Sequence, residues 1–388
     1  TGSDRSPRSS RHRALARSCA RACRRSSWDA LPGRMLHAAR RPPQSPVSPM
    51  PLRRRQLLQL AAAGAGSGAW WLLGQQQQPA TAAPSSTPDL CLGLISDLNA
   101  SYGSTSYIPQ VSQGLRKLLA LQPALVVCAG DMVAGQKRGL SAGQLDGMWE
   151  SFARTVLAPV RQAGLPFLPA VGNHDGSPGF EADRAAVRRF WTPRRQALGL
   201  QFVDEGDFPF HYSALQHEVF WLVWDASSGR IPSSQLSWAR QQLASPAAQQ
   251  ARLRLVVGHL PLVGVSRGRD RAGETLDQAA AVQNLLEQGR VQAYISGHQH
   301  AWFPARRGQL DLIHLGAMGS GPRRLLQGSI PPQQTYTTLD INWQHDSLVE
   351  TTYAVASGQP VAWSRLPATL MGRAGVLNRN VQARSIRR

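Results

Sequence analysis

Side chains that can bind metal ions or transfer protons follow five short apolar runs of this sequence. Each run leads directly into a segment that carries Asp, Asn or His. The segments are Asp97-Leu98-Asn99, Gly130-Asp131, Gly172-Asn173-His174-Asp175, Gly258-His259 and Gly297-His298-Gln299-His300. In four of them a glycine comes first, which lets the backbone turn sharply and approach a ligand closely. Open α/β sheets place their sites at the carboxyl ends of strands, so we expect the five segments to meet there.

The residue types form an oxygen and nitrogen ligand set without cysteine, which is typical of Mn, Fe or Zn sites rather than thiolate sites. Three histidines and two aspartates exceed what one four-coordinate ion needs, so the pattern predicts a centre of two metal ions. Each segment alone has a simpler interpretation, because Asp-Leu-Asn is also a common turn and a lone histidine is often structural. The occurrence of all five in this order favours the metal site.

Apolar runs and amphipathic stretches alternate along the chain and predict the elements that position these segments. Strands are predicted at residues 91–95, 124–129, 166–171, 219–224, 253–257 and 291–295. Helices are predicted at 110–121, 142–163, 233–243 and 276–288. Later apolar runs at 310–315, 335–342 and 348–355 have no helices between them and indicate antiparallel strands. Strands that alternate with helices indicate an α/β fold.

In these segments the sequence resembles the calcineurin-like metallophosphoesterase superfamily. Its ordered motifs are Asp-x-His, Gly-Asp, Gly-Asn-His-Asp/Glu, a lone His and Gly-His-x-His. The resemblance covers about residues 89–355. It implies a four-layer αββα sandwich, in which two mixed β-sheets are flanked by helices. It also implies a dinuclear centre of divalent or trivalent ions, with Mn, Fe or Zn as the candidates.

The resemblance gives each matched residue a role. Asp131 would bridge the two ions, Asp97 and His300 would hold the first ion, and Asn173, His259 and His298 would hold the second. His174 would stand over the phosphate and stabilise or protonate the leaving oxygen, with Asp175 orienting it. Residues 316–321 resemble the glycine-rich loop that follows the last histidine motif in the family and would line the pocket.

Two positions depart from the patterns of related proteins. Asn99 stands where the common motif has histidine, and its amide oxygen could either ligate a metal ion or hydrogen-bond a metal-bound water. Ala134 stands three residues after Asp131, where the purple acid phosphatase branch has tyrosine. No tyrosinate charge-transfer colour is therefore expected.

The expected reaction is hydrolysis of a phosphate ester, in which a hydroxide bridging the two ions attacks phosphorus in line. A phosphomonoesterase or phosphodiesterase acting on small molecules is the favoured interpretation, and a nuclease would need a cationic groove. The alternative from another class is an exported metal-binding or scaffold protein with a degenerate, inactive site. Asn99 is the residue that suggests it.

The charge distribution argues against a specific nucleic-acid partner. The 388 residues include 43 Lys and Arg against 23 Asp and Glu, a formal net charge of +20. The excess lies in residues 1–49, 50–88 and 365–388, and the segment between them is nearly neutral. A basic nucleic-acid-binding fold is therefore disfavoured. Four cysteines in this length also exclude a small disulfide scaffold.

Residues before the expected phosphoesterase domain have the pattern of a targeting segment. Residues 1–49 lack apolar periodicity and are predicted to be disordered, or untranslated if Met50 is the true start. Residues 50–82 resemble a twin-arginine signal peptide, with Arg53–Arg55, an apolar run and a cleavage site at Ala80–Ala82. The run is interrupted by glycines, so no stable membrane span is expected in the mature form, although an uncleaved anchor is the alternative.

These patterns divide the chain into expected regions and suggest its destination. The phosphoesterase domain is expected at residues 89–364. Residues 365–388 are predicted to be a basic tail, disordered or forming an amphipathic surface helix. The twin-arginine export machinery is the expected partner of the precursor. The expected location is the bacterial periplasm or an equivalent lumen.

Overall fold

The computed structural model describes residues 87–387 of the chain. Their strands, in chain order, are β1 (Leu90–Ile95), β2 (Leu125–Ala129), β3 (Phe167–Ala170), β4 (Phe202–Asp207), β5 (His211–Gln216), β6 (Val219–Val223), β7 (Leu253–Val257), β8 (Ala293–Ser296), β9 (Phe303–Arg307), β10 (Leu310–His314), β11 (Thr335–Asn342), β12 (Ser347–Ala354), β13 (Thr369–Gly372), β14 (Gly375–Arg379) and β15 (Ala383–Ser385). Their α-helices are α1 (Pro109–Ala120), α2 (Ala142–Phe152), α3 (Ala158–Gln162), α4 (Asn173–Gly176), α5 (Glu181–Trp191), α6 (Ser233–Leu243), α7 (Pro246–Gln250) and α8 (Ala279–Gln288).

The strands of residues 87–387 form two mixed sheets. One sheet has six strands in the order β15-β12-β11-β1-β2-β3, and the other has nine in the order β13-β14-β9-β10-β8-β7-β6-β5-β4. In the first sheet β1, β2 and β3 run parallel. In the second sheet β6, β7, β8 and β10 run parallel. The remaining neighbours in both sheets are antiparallel.

Alternation along the strands shows how the two sheets are layered. Successive side chains of a strand point to opposite faces. In β6, Trp221 and Val223 belong to the apolar cluster that also contains Leu92 and Val127 of the six-stranded sheet. Phe220 and the β6 side chains on the same face point away from that cluster and pack in a second cluster with side chains of α6 and α8. Side chains of α1, α2 and α5 belong to the first cluster. The architecture is therefore the αββα sandwich that the resemblance implies.

Local sequence signals set the starts of two predicted helices. Pro109 opens α1, where a missing N–H costs no hydrogen bond. Ser141 caps α2 in a capping box with Gln144, since its hydroxyl accepts from the Gln144 amide and the Gln144 side chain accepts from the Ser141 amide. The helix predicted at 142–163 continues through a π-helical stretch at Ala153–Leu157 into α3.

The structure corrects the expectation of a basic tail at residues 365–388. β13 and β14 form a hairpin that joins β9 in the nine-stranded sheet, and β15 joins β12 in the six-stranded sheet. Leu370 and Leu377 are buried, and the Arg384 guanidinium lies 2.8 Å from the Glu350 carboxylate. The sequence pattern failed here because the strands are short, and β14 and β15 join strands β9 and β12, which lie far away along the chain.

The predicted disordered region at 1–49 and the predicted signal peptide at 50–82 lie outside the described residues. No helix among residues 87–387 is long and apolar enough to cross a membrane.

Candidate metal centre

The site lies where the carboxyl ends of strands from both sheets meet. Asp97, Asp131 and Asn173 follow β1, β2 and β3 of the six-stranded sheet. His259 and His298 follow β7 and β8 of the nine-stranded sheet. Asp97, Asp131 and His259 are buried and offer ligand atoms that all lie within 4.8 Å of one another. The structure thus brings together segments that the sequence places far apart.

Backbone strain is concentrated at the predicted ligands. Asp97, Asp131, His298 and His300 have φ angles of 54°, 56°, 67° and 53°. Non-glycine residues rarely adopt this left-handed region, and such strain persists where the surrounding structure enforces it, often at functional sites. The turns aim the four side chains into one space at the ends of the strands.

Glycines in two of the segments allow the two strand ends to approach closely. Gly130 has a φ of 91°, and a Cβ atom added there would lie 2.5 Å from Nδ1 of His259. A Cβ atom at Gly172 would collide with the Asp131 backbone nitrogen and carboxylate. Side chains at these positions would therefore displace two predicted ligands.

Three acceptor atoms converge around Asn173. Nδ1 of His259 donates to the Ala129 carbonyl oxygen at 2.8 Å, which leaves its Nε2 unprotonated in the neutral ring. That Nε2 lies 3.0 Å from Oδ1 of Asn173. Oδ1 also lies 2.9 Å from Nδ1 of His298, while the Asn173 amide nitrogen donates to Gln136 at 2.7 Å. Their lone pairs repel one another unless a proton or a metal ion lies between them.

A second group of acceptors surrounds Asp97. Nδ1 of His300 donates to the Gly321 carbonyl at 2.9 Å, and its Nε2 lies 3.1 Å from Oδ1 of Asp97. The Asp97 carboxylate accepts a hydrogen bond from the His298 amide. Oδ1 of Asn99 is buried without a hydrogen-bond partner, and so is Nε2 of His300.

Asp131 lies between these two groups. Its Oδ1 accepts from the His174 amide at 2.8 Å. Its Oδ2 has no hydrogen-bond partner and lies 3.2 Å from Nε2 of His259. One carboxylate oxygen is therefore fixed by the backbone, and the other remains free to bind an ion.

The electrostatics of the centre favour positive charge. Burial alone would raise the pKa of Asp97 and Asp131, but His300 lowers that of Asp97, and His259 lowers that of Asp131. Both carboxyls consequently have pKa values below their usual range. Burial also opposes the charged form of His259, yet Asp131 outweighs it and raises the pKa of His259 to about 9.

His174 lies beside this centre rather than within it. Its Nε2 is 3.9 Å from Oδ2 of Asp131, and its ring centroid is 4.7 Å from that of Tyr102. Its Nδ1 lies 3.4 Å from the Gly135 carbonyl oxygen. The ring can therefore reach a group bound next to Asp131 while its other nitrogen faces the backbone.

The predicted role of Asp175 in orienting His174 is wrong. The Asp175 carboxylate accepts hydrogen bonds from the Val133 amide at 2.9 Å and the Gly172 amide at 2.8 Å. Because Asp175 lies in the first turn of α4, its side chain folds back to the start of that turn. Burial and the nearby Asp131 raise the pKa of Asp175 to about 7. Asp175 therefore stabilises the loops around the site.

The glycine-rich loop at residues 316–321 forms backbone hydrogen bonds with the first segment of the site. The Met318 and Gly319 amides donate to the carbonyls of Ser96 and Asp97, and the Ser320 amide donates to that of Asn99. A Cβ atom at Gly319 would collide with the Leu98 carbonyl. The loop thus fixes the backbone that carries Asp97 and Asn99.

A polar cleft of about 250 Å³ opens over the centre. Its lining includes Asn173, His174 and His298 together with Tyr102 and Arg269. Half of the Tyr102 side chain is exposed, so an aromatic surface lies beside His174. A small phosphate ester can reach the centre through this cleft.

Sequence reasoning missed four residues that contact the predicted ligands. They are Gln136, Arg269, Glu274 and Gln299, which hydrogen-bond Asn173, His298 or the loop beside His298. Gln299 stands inside the last histidine motif, so its position was the one available signal. The other three lie in loops without a recognisable pattern.

The residues of the centre fit bound metal ions. Three buried atoms without partners, Asn99 Oδ1, Asp131 Oδ2 and His300 Nε2, belong to predicted ligands. The donors are oxygen and imidazole nitrogen atoms, which suit Mn, Fe and Zn. The oxygen and nitrogen atoms that converge around Asn173 are compatible with the same conclusion, since a metal ion could replace the proton that His259 would otherwise carry there.

Comparison with known proteins gives the family. The sequence profile described as Calcineurin-like phosphoesterase matches residues 92–302. A cAMP/cGMP dual specificity phosphodiesterase of Mycobacterium tuberculosis (strain CDC 1551 / Oshkosh) is 27% identical over 232 residues, which are 56% of this chain and 64% of that protein. Purple acid phosphatase PPD1 from yellow lupin (Lupinus luteus) seeds has a TM-score of 0.52 at 15% identity, over 72% of this chain and 54% of that chain.

This chain spans less than two thirds of the length of each of these proteins. The likeness to the lupin structure shows a shared fold. The family profile, by contrast, matches more than half of the sequence and spans all five segments that are predicted to bind metal. The chain belongs to the calcineurin-like phosphoesterase family.

Proposed function

We propose that this protein is a metal-dependent hydrolase of small phosphate esters that works with two ions. The observation that carries the proposal is the cluster of buried acceptor atoms around Asp131 and Asn173. Three of its atoms have no hydrogen-bond partner, and two imidazole nitrogens and an amide oxygen face one another within 3.0 Å. A buried cluster of this kind is unfavourable without cations.

Seven residues would hold the ions, and Asp131 lies between the two groups that they form. The first ion would take Asp97, Asn99 and His300, and the second would take Asn173, His259 and His298. Bound ions supply Lewis acidity, which activates water and neutralises phosphate oxygens. Asn99 stands among the ligands because its buried amide oxygen lacks any other partner.

The chain's own groups position the substrate and move protons. His174 stands at the edge of the cleft and donates a proton to the leaving oxygen, or stabilises the charge that develops on it. The Asp131 carboxylate holds the His174 backbone through its Oδ1, which fixes where the ring stands. The polar walls of the cleft, including Ser177 and Ser228, can hydrogen-bond a hydroxyl-bearing ester.

Phosphodiesters and phosphomonoesters are both candidate substrates. The mycobacterial relative is a cAMP/cGMP dual specificity phosphodiesterase and the lupin protein is a purple acid phosphatase. Cyclic nucleotides are therefore the first diesters to assay. They are small and hydroxyl-bearing, and each carries a base that could stack on Tyr102.

We also propose that the protein is exported and acts outside the cytoplasm. The support is the arginine-rich segment, apolar run and Ala-x-Ala site between Met50 and Ala82. Expression of the chain in a bacterium that has the twin-arginine machinery should place the protein in the periplasm. Retention in the cytoplasm, or an unchanged location after Arg53–Arg55 are replaced by lysine, would refute the proposal.

The second candidate is a binding protein with an inactive site. It is favoured by Asn99, which replaces the histidine of the first motif. The experiment that separates the two removes all metal from the purified chain and adds back Mn, Fe or Zn. Hydrolysis of cyclic nucleotides, aryl monoesters or aryl diesters that depends on metal supports the enzyme. Bound metal without turnover of any of these esters supports the binding protein.

A further inference from the structure

Glu274 lies in the loop between β7 and α8 and contacts a predicted metal ligand. Its Oε2 is 2.8 Å from Nε2 of His298. We propose that Glu274 is a positioning residue that orients His298 to bind the second ion. This inference rests on the two-ion centre of the proposed function. It adds a residue that lies outside all five of the sequence segments.

The contact selects the form of His298 that metal binding needs. A carboxylate oxygen can only accept, so Nε2 of His298 must carry the proton and donate it to Glu274. Nδ1 is then the nitrogen with the lone pair, and it lies 2.9 Å from Oδ1 of Asn173 and 3.0 Å from Nη1 of Arg269. A carboxylate on the outer nitrogen of a ligating histidine fixes its tautomer and orientation and raises its basicity.

Gln299 ties the loop that carries Glu274 to the motif that carries His298. Its Oε1 accepts from the Val265 amide at 2.9 Å and from the Ser266 amide at 3.1 Å. Its Nε2 lies within 3.2 Å of the Glu274 carbonyl oxygen. Gln299 is fully buried, so both ends of the loop are held against the motif.

Two arginines fix the carboxylate itself. Arg271 lies 2.9 Å from Oε1 of Glu274, so one carboxylate oxygen faces Arg271 and the other faces His298. Arg269 donates to the His298 carbonyl oxygen at 2.7 Å and lies 3.7 Å from Glu274. The carboxylate therefore has little freedom to leave the imidazole.

The outer nitrogens of the other two predicted ligand histidines face backbone carbonyls. His259 donates to Ala129 and His300 donates to Gly321. These carbonyls belong to the fold and carry no full charge. Loss of Glu274 should therefore affect the ion held by His298 and leave the ion held by His300 nearly unchanged.

The test measures metal binding by calorimetry on the full chain after all metal is removed, with Zn and Mn as probes. Glu274→Ala should lower the affinity for one of the two ions by roughly 10- to 100-fold and leave the affinity for the other within about threefold of wild type. Glu274→Gln keeps an acceptor of the same size and should lose less. A matched control, Glu150→Ala at an exposed helix position, should stay near wild type.

A spectroscopic measurement on the metal-free protein separates positioning from general loop stability. Nitrogen NMR of labelled histidine should show His298 protonated at Nε2 in the wild type and in Glu274→Gln, and a tautomer mixture in Glu274→Ala. Wild-type affinity for both ions in Glu274→Ala, an unchanged tautomer, or fewer than two ions in the wild type would each overturn the proposal. A third outcome would separate the two proposals. If the wild type binds two ions, Glu274→Ala binds one of them more weakly, and neither protein hydrolyses any ester, the proposed function is refuted but the role of Glu274 is supported.

Discussion

Oδ2 of Asp131 lies 3.2 Å from Nε2 of His259, although the two residues follow strands of different sheets. Both side chains are fully buried. The candidate metal centre therefore joins the two halves of the sandwich, and its charges contribute to the stability of the fold as well as to chemistry.

Replacing His174 should slow the reaction without emptying the metal site. His174 stands beside Asp131 at the cleft, outside the two groups of converging acceptors. His174→Ala should lower kcat by about 10²- to 10⁴-fold for an alkyl phosphate, since general acid catalysis is worth that much. The loss should be much smaller for a nitrophenyl ester, whose leaving group needs no proton. His345→Ala, at an exposed site, is the control. Equal losses for both esters would argue against the role of His174.

Restoring the family's histidine at position 99 should strengthen the first metal site. Oδ1 of Asn99 is buried and has no hydrogen-bond partner, so it is available to bind an ion. Asn99→His should raise the affinity for the more weakly bound ion about tenfold, which equals about 1.4 kcal/mol of binding free energy. Asn99→Ala should weaken the same ion. Calorimetric titration measures both, and no change in either variant would place Asn99 outside the coordination shell.

The metal-free protein should lose stability as the pH rises from about 6.5 to about 9. Asp131 raises the pKa of His259 from 6.5 to about 9 in the folded protein, although burial opposes the charged form. The folded state therefore binds more protons than the unfolded state in this interval, and stability falls as they are lost. Urea denaturation with metal removed tests this. His259→Gln should flatten the pH dependence; a dependence as steep as that of the wild type would show that another group titrates.

Arg384 should matter for stability but not for the reaction. Its guanidinium and the Glu350 carboxylate form a buried pair at 2.8 Å. Arg384→Met leaves a buried carboxylate without its partner and should cost about 3–5 kcal/mol in the free energy of unfolding. Arg384→Met combined with Glu350→Gln should cost less. Arg373→Met, at an exposed position, should have little effect. Urea denaturation measures these changes in the free energy of unfolding. No loss of stability in Arg384→Met would contradict a buried pair between Arg384 and Glu350.

The parallel core of the fold could be predicted from the sequence. The apolar runs before Asp97, Asp131 and His259 match β1, β2 and β7 because a strand buried on both faces reads as a continuous apolar run. Strands β4, β9 and β13–β15 were not predicted. β4, β13 and β15 lie at sheet edges, and β9, β14 and β15 each pair with a strand that is distant along the chain.

The residues expected to bind metal could be named from the order of the motifs, but their surroundings could not. Asp175 stands next to His174 in sequence, yet its carboxylate bonds to the backbone of two loops. Glu274 contacts His298 from a loop without any motif. Sequence adjacency therefore misassigned one carboxylate and missed another, because side-chain direction depends on tertiary packing.

The most direct test of the account is to titrate metal into the metal-free chain while measuring ester hydrolysis. Turnover should rise with bound metal and saturate at two ions per chain. Asp131→Asn should lose at least one ion and nearly all turnover, because Asp131 lies between both groups of ligands. Saturation at a single ion, or turnover that persists without metal, would rule out a hydrolase that works with two ions.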